Sequence, residues 1–135
     1  MNLILCLDDK NGMLFNHRRQ SMDRILREDM LAYTACKVLW MSPYTAGQFA
    51  EILPHMQVTD DPVGSAGEEE YCFVESDDWI NANDQIRDII VYRWNRVYPA
   101  DVRFPQSELA RRKLVGTVEF MGSSHDRITR EIYRL

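Results

Sequence analysis

The stretch Ser21–Thr45, SMDRILREDMLAYTACKVLWMSPYT, decides the fold. Met22, Ile25, Leu26, Met30 and Tyr33 recur at i, i+3, i+4, i+8 and i+11, the stripe of one helical face. Ser21 stands where an N-cap belongs, so the spacing predicts a helix from about Met22 to Thr34. Asp29 falls at i+7 on that apolar face. Asp is a mediocre helix former and costly to bury alone. Its carboxylate is therefore either satisfied by backbone or an arginine, or kept in a pocket to hold a ligand or handle a proton. Lys37–Met41 (KVLWM) then reads as a buried strand. Ser42 and Pro43 supply the cap and first-turn proline of a second helix, running to about Leu53 before Pro54 stops it.

Upstream, Leu3–Leu7 is a continuous apolar run closed by Asp8 and Asp9, as expected of a strand buried on both faces. Asn11-Gly12 signals a turn, and Met13–Gln20 reads as a loop carrying His17, Arg18 and Arg19. Downstream, Met56–Thr59 is a short strand candidate, and Asp60–Glu70 (DDPVGSAGEEE) reads as an exposed loop rather than a domain boundary. Tyr71–Val74 is another apolar strand, Asp77–Gln85 a polar stretch with helical character, and Tyr98–Pro105 an extended segment. In the strand Ile89–Trp94, alternation puts Ile90, Tyr92 and Trp94 on one face and Ile89, Val91 and Arg93 on the other. Lys113–Phe120 and Ile128–Leu135, joined by MGSSHDR, read as an antiparallel pair. Strands alternating with helices in the first half imply a parallel core sheet, and the helix-poor second half adds antiparallel strands to it. The expected fold is α/β: a single domain over residues 1–135, with a mixed, mostly parallel central sheet flanked by helices and a C-terminal antiparallel hairpin.

The 135 residues, 45% apolar and 27% charged, are those of one ordinary globular domain. No window approaches the roughly 20 apolar residues that cross a bilayer, and MNLILCLDDK lacks the features of a secretory leader. A net charge of −5 argues against nucleic acid as the main partner. Cys6, Cys36 and Cys72 are odd in number and lack metal-ligand spacing. With them the chain reads as a reduced, cytoplasmic protein without disulfides. His17, His55 and His125 are isolated from one another, so no metal site is expected.

Arg18 and Arg19 precede the helix start at Ser21, where free N–H groups and a partial positive charge would favour a phosphate or carboxylate. The alternative is a solvated basic loop, with Asp23 and Arg27 as an ordinary i, i+4 surface pair. Trp94 between Arg93 and Arg96 is a core aromatic or a stacking surface. Gly122-Ser123-Ser124-His125 reads as a hairpin turn.

The order and content of these segments resemble dihydrofolate reductase. LILCLDDKNG is similar to that family's opening strand and its Asn-Gly entry to the active-site loop. LREDMLAYTACKVLWMSPYT is similar to its first helix, second strand and next helix start. IRDIIVYRWNRVYPADVRFP is similar to its late strand and Asp-x-x-Phe-Pro segment, here Asp101, Phe104 and Pro105. The resemblance implies that Asp29 is the acid that holds and protonates a pterin-like heterocycle. It also implies an NAD(P)H-dependent oxidoreductase. Tyr33, on the same helix face, is a further candidate for ligand binding.

The departures fall on the cofactor half. Family members are usually longer, and the shortfall lies between Leu53 and Tyr71. The family's Met-Gly-Arg-Lys-Thr motif, whose Arg and helix start grip the NADPH phosphates, is here Met41-Ser42-Pro43-Tyr44-Thr45, without the Arg or the Lys. Its Gly-Gly pair is here Glu75-Ser76. Glycines there let backbone approach a diphosphate, whereas a Glu adds bulk and like charge. At about 4 Å each such repulsion is ~1 kcal/mol in water and ~4 kcal/mol at an effective dielectric near 20. Ser42, Thr45, Glu75 and Ser76 are thus degenerate cofactor positions, and they disfavour NADPH. The expectation is a divergent member that binds a small molecule or a protein partner, a second copy of the chain in a homo-oligomer being one candidate.

Overall fold

A computed structural model describes residues 1–135, the side chain of Asn81 apart. Strand β1 (Asn2–Leu7) lies inside a seven-stranded sheet, parallel to β6 (Tyr71–Phe73) on one side and to β7 (Asp88–Arg93) on the other. Its alternating side chains feed two cores. Leu3, Leu5 and Leu7 enter one and Ile4 the other, all fully buried. β4 (Leu39–Met41) and β5 (Met56–Val58) extend the sheet in parallel beyond β6. β10 (Ile128–Arg134) pairs antiparallel with β7, and β9 (Lys113–Phe120) closes that edge. The expected mixed sheet with a C-terminal hairpin is what the chain forms.

Helix α1 (Arg24–Tyr33) lays Leu26 and Met30 onto the face carrying Ile4, Ile90 and Tyr92. A 3-10 helix (Asp77–Gln85), α3 (Pro62–Ser65) and α4 (Gln106–Ala110) cover the opposite face with Val63, Trp79, Ala82 and Leu109. The face assignment of β7 holds for its apolar residues, because Ile90, Tyr92 and Trp94 lie in one core and Ile89 and Val91 in the other. Among the described residues no helix is long and apolar enough to cross a membrane, and the three cysteines are unpaired.

Several sequence expectations need correction. α1 is capped by Asp23, whose side chain accepts from Leu26 N–H at 3.1 Å, and not by Ser21. Met22 therefore lies outside the helix and is 48% exposed. Asp23 makes no pair with Arg27, and the surface pair of this helix is Arg24–Glu28. The second helix, α2 (Pro43–Ala46), is a single turn, because the chain leaves the axis after Gly47 and packs Phe49 edge-on against Phe73. The supposed acidic loop contains α3, capped by Asp61 and anchored by buried Pro62 and Val63. β5 and α3 are what fills the short interval between Leu53 and Tyr71.

The segment Met13–Gln20 is not a loop either. β2 (Gly12–Phe15) pairs with β3 (Arg18–Arg19) and with β8 (Val102–Arg103) in a small second sheet. Asn16 and His17, both at positive φ (53° and 62°), make the two-residue hairpin turn, the geometry that matches strand twist. Gly12 is required by proximity, since a Cβ there would lie 2.8 Å from Ala100 Cβ and from a carboxylate oxygen of Asp8.

Met30 has no exposed surface and sits between α1 and the sheet. Met30→Ala is expected to lower unfolding stability by about 2–5 kcal/mol in a urea titration, through lost burial and a residual cavity.

Candidate ligand-binding cleft

Parallel strands β4 and β6 end side by side, and each hands over to a short helix. Ser42 caps α2, its Oγ accepting from Thr45 N–H at 3.2 Å while its own hydroxyl donates to Thr45 Oγ1. Ser76 caps the 3-10 helix. Outside the carboxyl ends of parallel strands is where open α/β sheets bind ligands. A cavity of about 300 Å³ lies there, lined by Ser42, Tyr44, Thr45, Phe73, Glu75, Ser76 and Asp78, with His17 of the β2–β3 turn reaching in. All four positions marked as degenerate in the sequence thus line one cleft.

Its chemistry is set by Glu75. Arg19 donates to both carboxylate oxygens, Nε at 2.9 Å and Nη2 at 3.1 Å, and Gln48 adds a third bond at 3.2 Å. The same guanidinium lies 4.3 Å over the Tyr44 ring and donates to Tyr44 O at 3.0 Å, while Arg19 N–H donates to the Tyr44 hydroxyl. Burial works against the Arg19 charge, but the Glu75 carboxylate more than offsets it and holds the guanidinium above its ordinary pKa. Such a bidentate, partly desolvated pair is strong and geometrically fixed. His17 is the residue of the basic loop that lines the cleft, whereas Arg19 is committed to Glu75 inside the protein. Arg18 is exposed and is not among the residues that line the cleft.

This lining does not fit the diphosphate of a dinucleotide. Glu75 and Asp78 present carboxylates where phosphates would need cations, and no arginine or lysine among the lining residues replaces them. The N–H of Thr45 is already used by Ser42.

Asp29 is placed elsewhere. Its Oδ2 accepts from the Tyr92 hydroxyl and from Arg130 Nη1, each at 2.7 Å, and it is not among the residues that line the cleft. Burial first, and then the Asp29 carboxylate, push the Tyr92 phenol far above its ordinary pKa, so Tyr92 is a donor throughout the physiological range. The Arg130 guanidinium lies 4.5 Å over the Tyr33 ring, which itself meets Tyr71 edge-on. Asp29 and Tyr33 are therefore brought together, with Arg130 between them. Arg130 and Tyr92 carried no local signal in the sequence, since both come from other strands.

Ser21 is separated from Arg18 and Arg19 and joins the turn between β9 and β10. Its Oγ lies 3.0 Å from His125 Nε2, and His125 Nδ1 lies 3.0 Å from Asp23 Oδ2. Asp23 also accepts from Ser123 N–H at 3.0 Å and Ser124 N–H at 2.9 Å. Gly122 leaves room for this, because a Cβ there would collide with the Asp23 carboxylate. Burial alone would raise the Asp23 carboxyl. The N–H of Ser124, His125, and the N–H groups of Ser123 and Leu26 outweigh it and hold the group well below the carboxylate range.

No family model matches the chain, and no curated protein matches it. Among solved structures, dihydrofolate reductase from Enterococcus faecalis complexed with NADP(H) and RAB-propyl superposes with a TM-score of 0.62 at 13% identity, covering 98% of this chain and 94% of that one. The likeness is one of fold: the chain has a divergent dihydrofolate reductase-like architecture.

A carboxyl whose pKa is depressed on folding contributes stability above its unfolded value and loses it as pH falls through lower values. Stability is therefore expected to drop below about pH 4. Asp23→Asn should make that acid limb shallower and cost about 1–3 kcal/mol at neutral pH, as measured by urea unfolding across the acid range.

Proposed function

We propose that this dihydrofolate reductase-like domain binds a compact organic molecule in the cleft beyond β4 and β6, and that it does not use NADPH in the usual way. The observation that carries the reading is the Glu75 carboxylate within the cleft, held by Arg19 and Gln48. With Asp78 beside it, the cleft has acceptors to offer, and its described lining residues include no arginine or lysine. A volume of about 300 Å³ is at the small end of ligand pockets and suits a single ring system. The fitting class is uncharged or cationic, with a flat apolar part against Tyr44 and Phe73 and N–H donors directed at Glu75 and Asp78. Selectivity against anions follows from the commitment of Arg19 to Glu75, which leaves that cation to no ligand, with the exposed Asp78 adding a weaker, solvent-screened repulsion.

The alternative is an NAD(P)H-dependent oxidoreductase with Asp29 as the substrate acid. It requires Asp29 to exchange Arg130 and Tyr92 for a substrate, and the cofactor to displace or tolerate Glu75. Each exchange leaves a charged or hydroxyl group without its partner, which is costly in a partly buried site.

Fluorescence of Trp40, Trp79 and Trp94 during an NADPH titration is expected to show no saturable change below about 1 mM. Saturation in the micromolar range would overturn the reading. Benzamidine, a flat amidinium, is expected to shift amide resonances of the cleft saturably in an NMR titration. Glu75→Gln should weaken that binding at least about tenfold through loss of a charge-assisted contact.

A further inference from the structure

Ser21, His125 and Asp23 form a continuous hydrogen-bonded line outside the cleft. The order of atoms matters. His125 Nδ1 faces the Asp23 carboxylate and Nε2 faces the Ser21 hydroxyl, each at 3.0 Å. An Nδ1–H donated to Asp23 leaves the Nε2 lone pair facing two hydroxyls at 3.0 Å, Ser21 and Tyr98, and its contact with Ser21 Oγ–H is the arrangement that activates a serine nucleophile. The carboxylate is rigidly held, with no exposed side-chain surface and with donors from Leu26, Ser123 and Ser124. The imidazole is stacked on Trp94, with centroids 4.6 Å apart and an interplanar angle of 28°, so it keeps its orientation. Ser21 itself is only half-buried.

Space for a substrate adjoins the line. A groove of about 310 Å³ is lined by Phe15, Arg18, Gln20, Tyr98 and Pro99, among others. Gln20 is the neighbour of Ser21 in the chain, and the hydroxyl of Tyr98, a lining residue, lies 3.0 Å from His125 Nε2; Ser21 and His125 themselves are not among the lining residues. Arg18 in this wall suits an ester that carries a negative charge.

We propose that Ser21 is an acyl-accepting nucleophile for small esters, with His125 as its general base and Asp23 as the positioning residue that orients the base. Ser21 Oγ forms a bond to the acyl carbon as its proton passes to His125 Nε2. The ester C–O bond then breaks, and the departing alkoxide takes that proton and leaves as an alcohol. Water repeats the attack with the same base, releasing the carboxylic acid and restoring the Ser21 hydroxyl. No redox partner or metal is needed.

The test uses the full chain and a fluorophosphonate ester, which loses fluoride to an activated serine, read by intact mass and peptide mapping. One phosphonyl adduct on Ser21 is expected, absent in Ser21→Ala. Hydrolysis of p-nitrophenyl acetate should fall at least about 100-fold in that variant with little change in its thermal midpoint. If Ser21→Ala does not fold, labelling of the unmodified protein decides alone. No adduct, an adduct elsewhere, or ester hydrolysis that survives in folded Ser21→Ala overturns the proposal and leaves the line as a structural tie. Because Ser21 lies outside the cleft, failure here leaves the benzamidine and NADPH outcomes untouched.

Discussion

Two-sided burial of β1 is the constraint from which the rest of the molecule follows. A strand with Leu3, Leu5 and Leu7 on one face and Ile4 on the other cannot sit at an edge or against solvent. It needs a neighbour on each side, supplied by β6 and β7, and a cover on each face, supplied by α1 and by the 3-10 helix with its companions. The polar groups that follow it then have to be satisfied at one end of the sheet. Asp8 does this by accepting from Gly12, Lys10 and Tyr98 N–H and from Gln20 Nε2, which pins the second, smaller sheet to the end of the first.

That same end carries the cleft, and its electrostatics are settled by one ion pair. A surface Arg–Glu contact contributes little, because water competes for both partners. Arg19 and Glu75 have side chains only 18% and 9% exposed, with Tyr44 stacked on the cation and Gln48 bonded to the anion. Removing either partner would strand the other, so the pair is fixed as a unit and the arginine is not available to a phosphate. The scaffold is shared with a nucleotide-binding reductase, but what a scaffold binds depends on the groups presented at the site.

Much of the fold was legible because its signals are local. The β1 run, the stripe of α1 and the alternation in β7 each declare which face is buried within a few residues. The failures have tertiary causes. Ser21 looked like the cap because it precedes the apolar stripe, yet the residues that choose Asp23 instead are Ser123, Ser124 and His125, about a hundred positions away. α2 ends early because Phe49 finds Phe73. The small second sheet is built from strands too short to show a period. In the cleft, the sequence located Ser42, Thr45, Glu75 and Ser76 but not the Arg19–Glu75 pair that joins them. Asp29 was singled out by its place on a helical face, while its partners Tyr92 and Arg130 lie on β7 and β10.

The double duty of Asp23 sets an order of events during synthesis. This carboxylate starts α1, yet most of its donors reside in the turn before the last strand. While the ribosome still holds those residues, Asp23 has only Leu26 N–H and water for company, and the first turn of the helix frays. Emergence of Ser123–His125 completes an element begun a hundred residues earlier. An early helix is thus sealed by a turn about a hundred residues downstream, and a nascent protein stalled short of that turn would show a protease-sensitive spot at the first turn of α1.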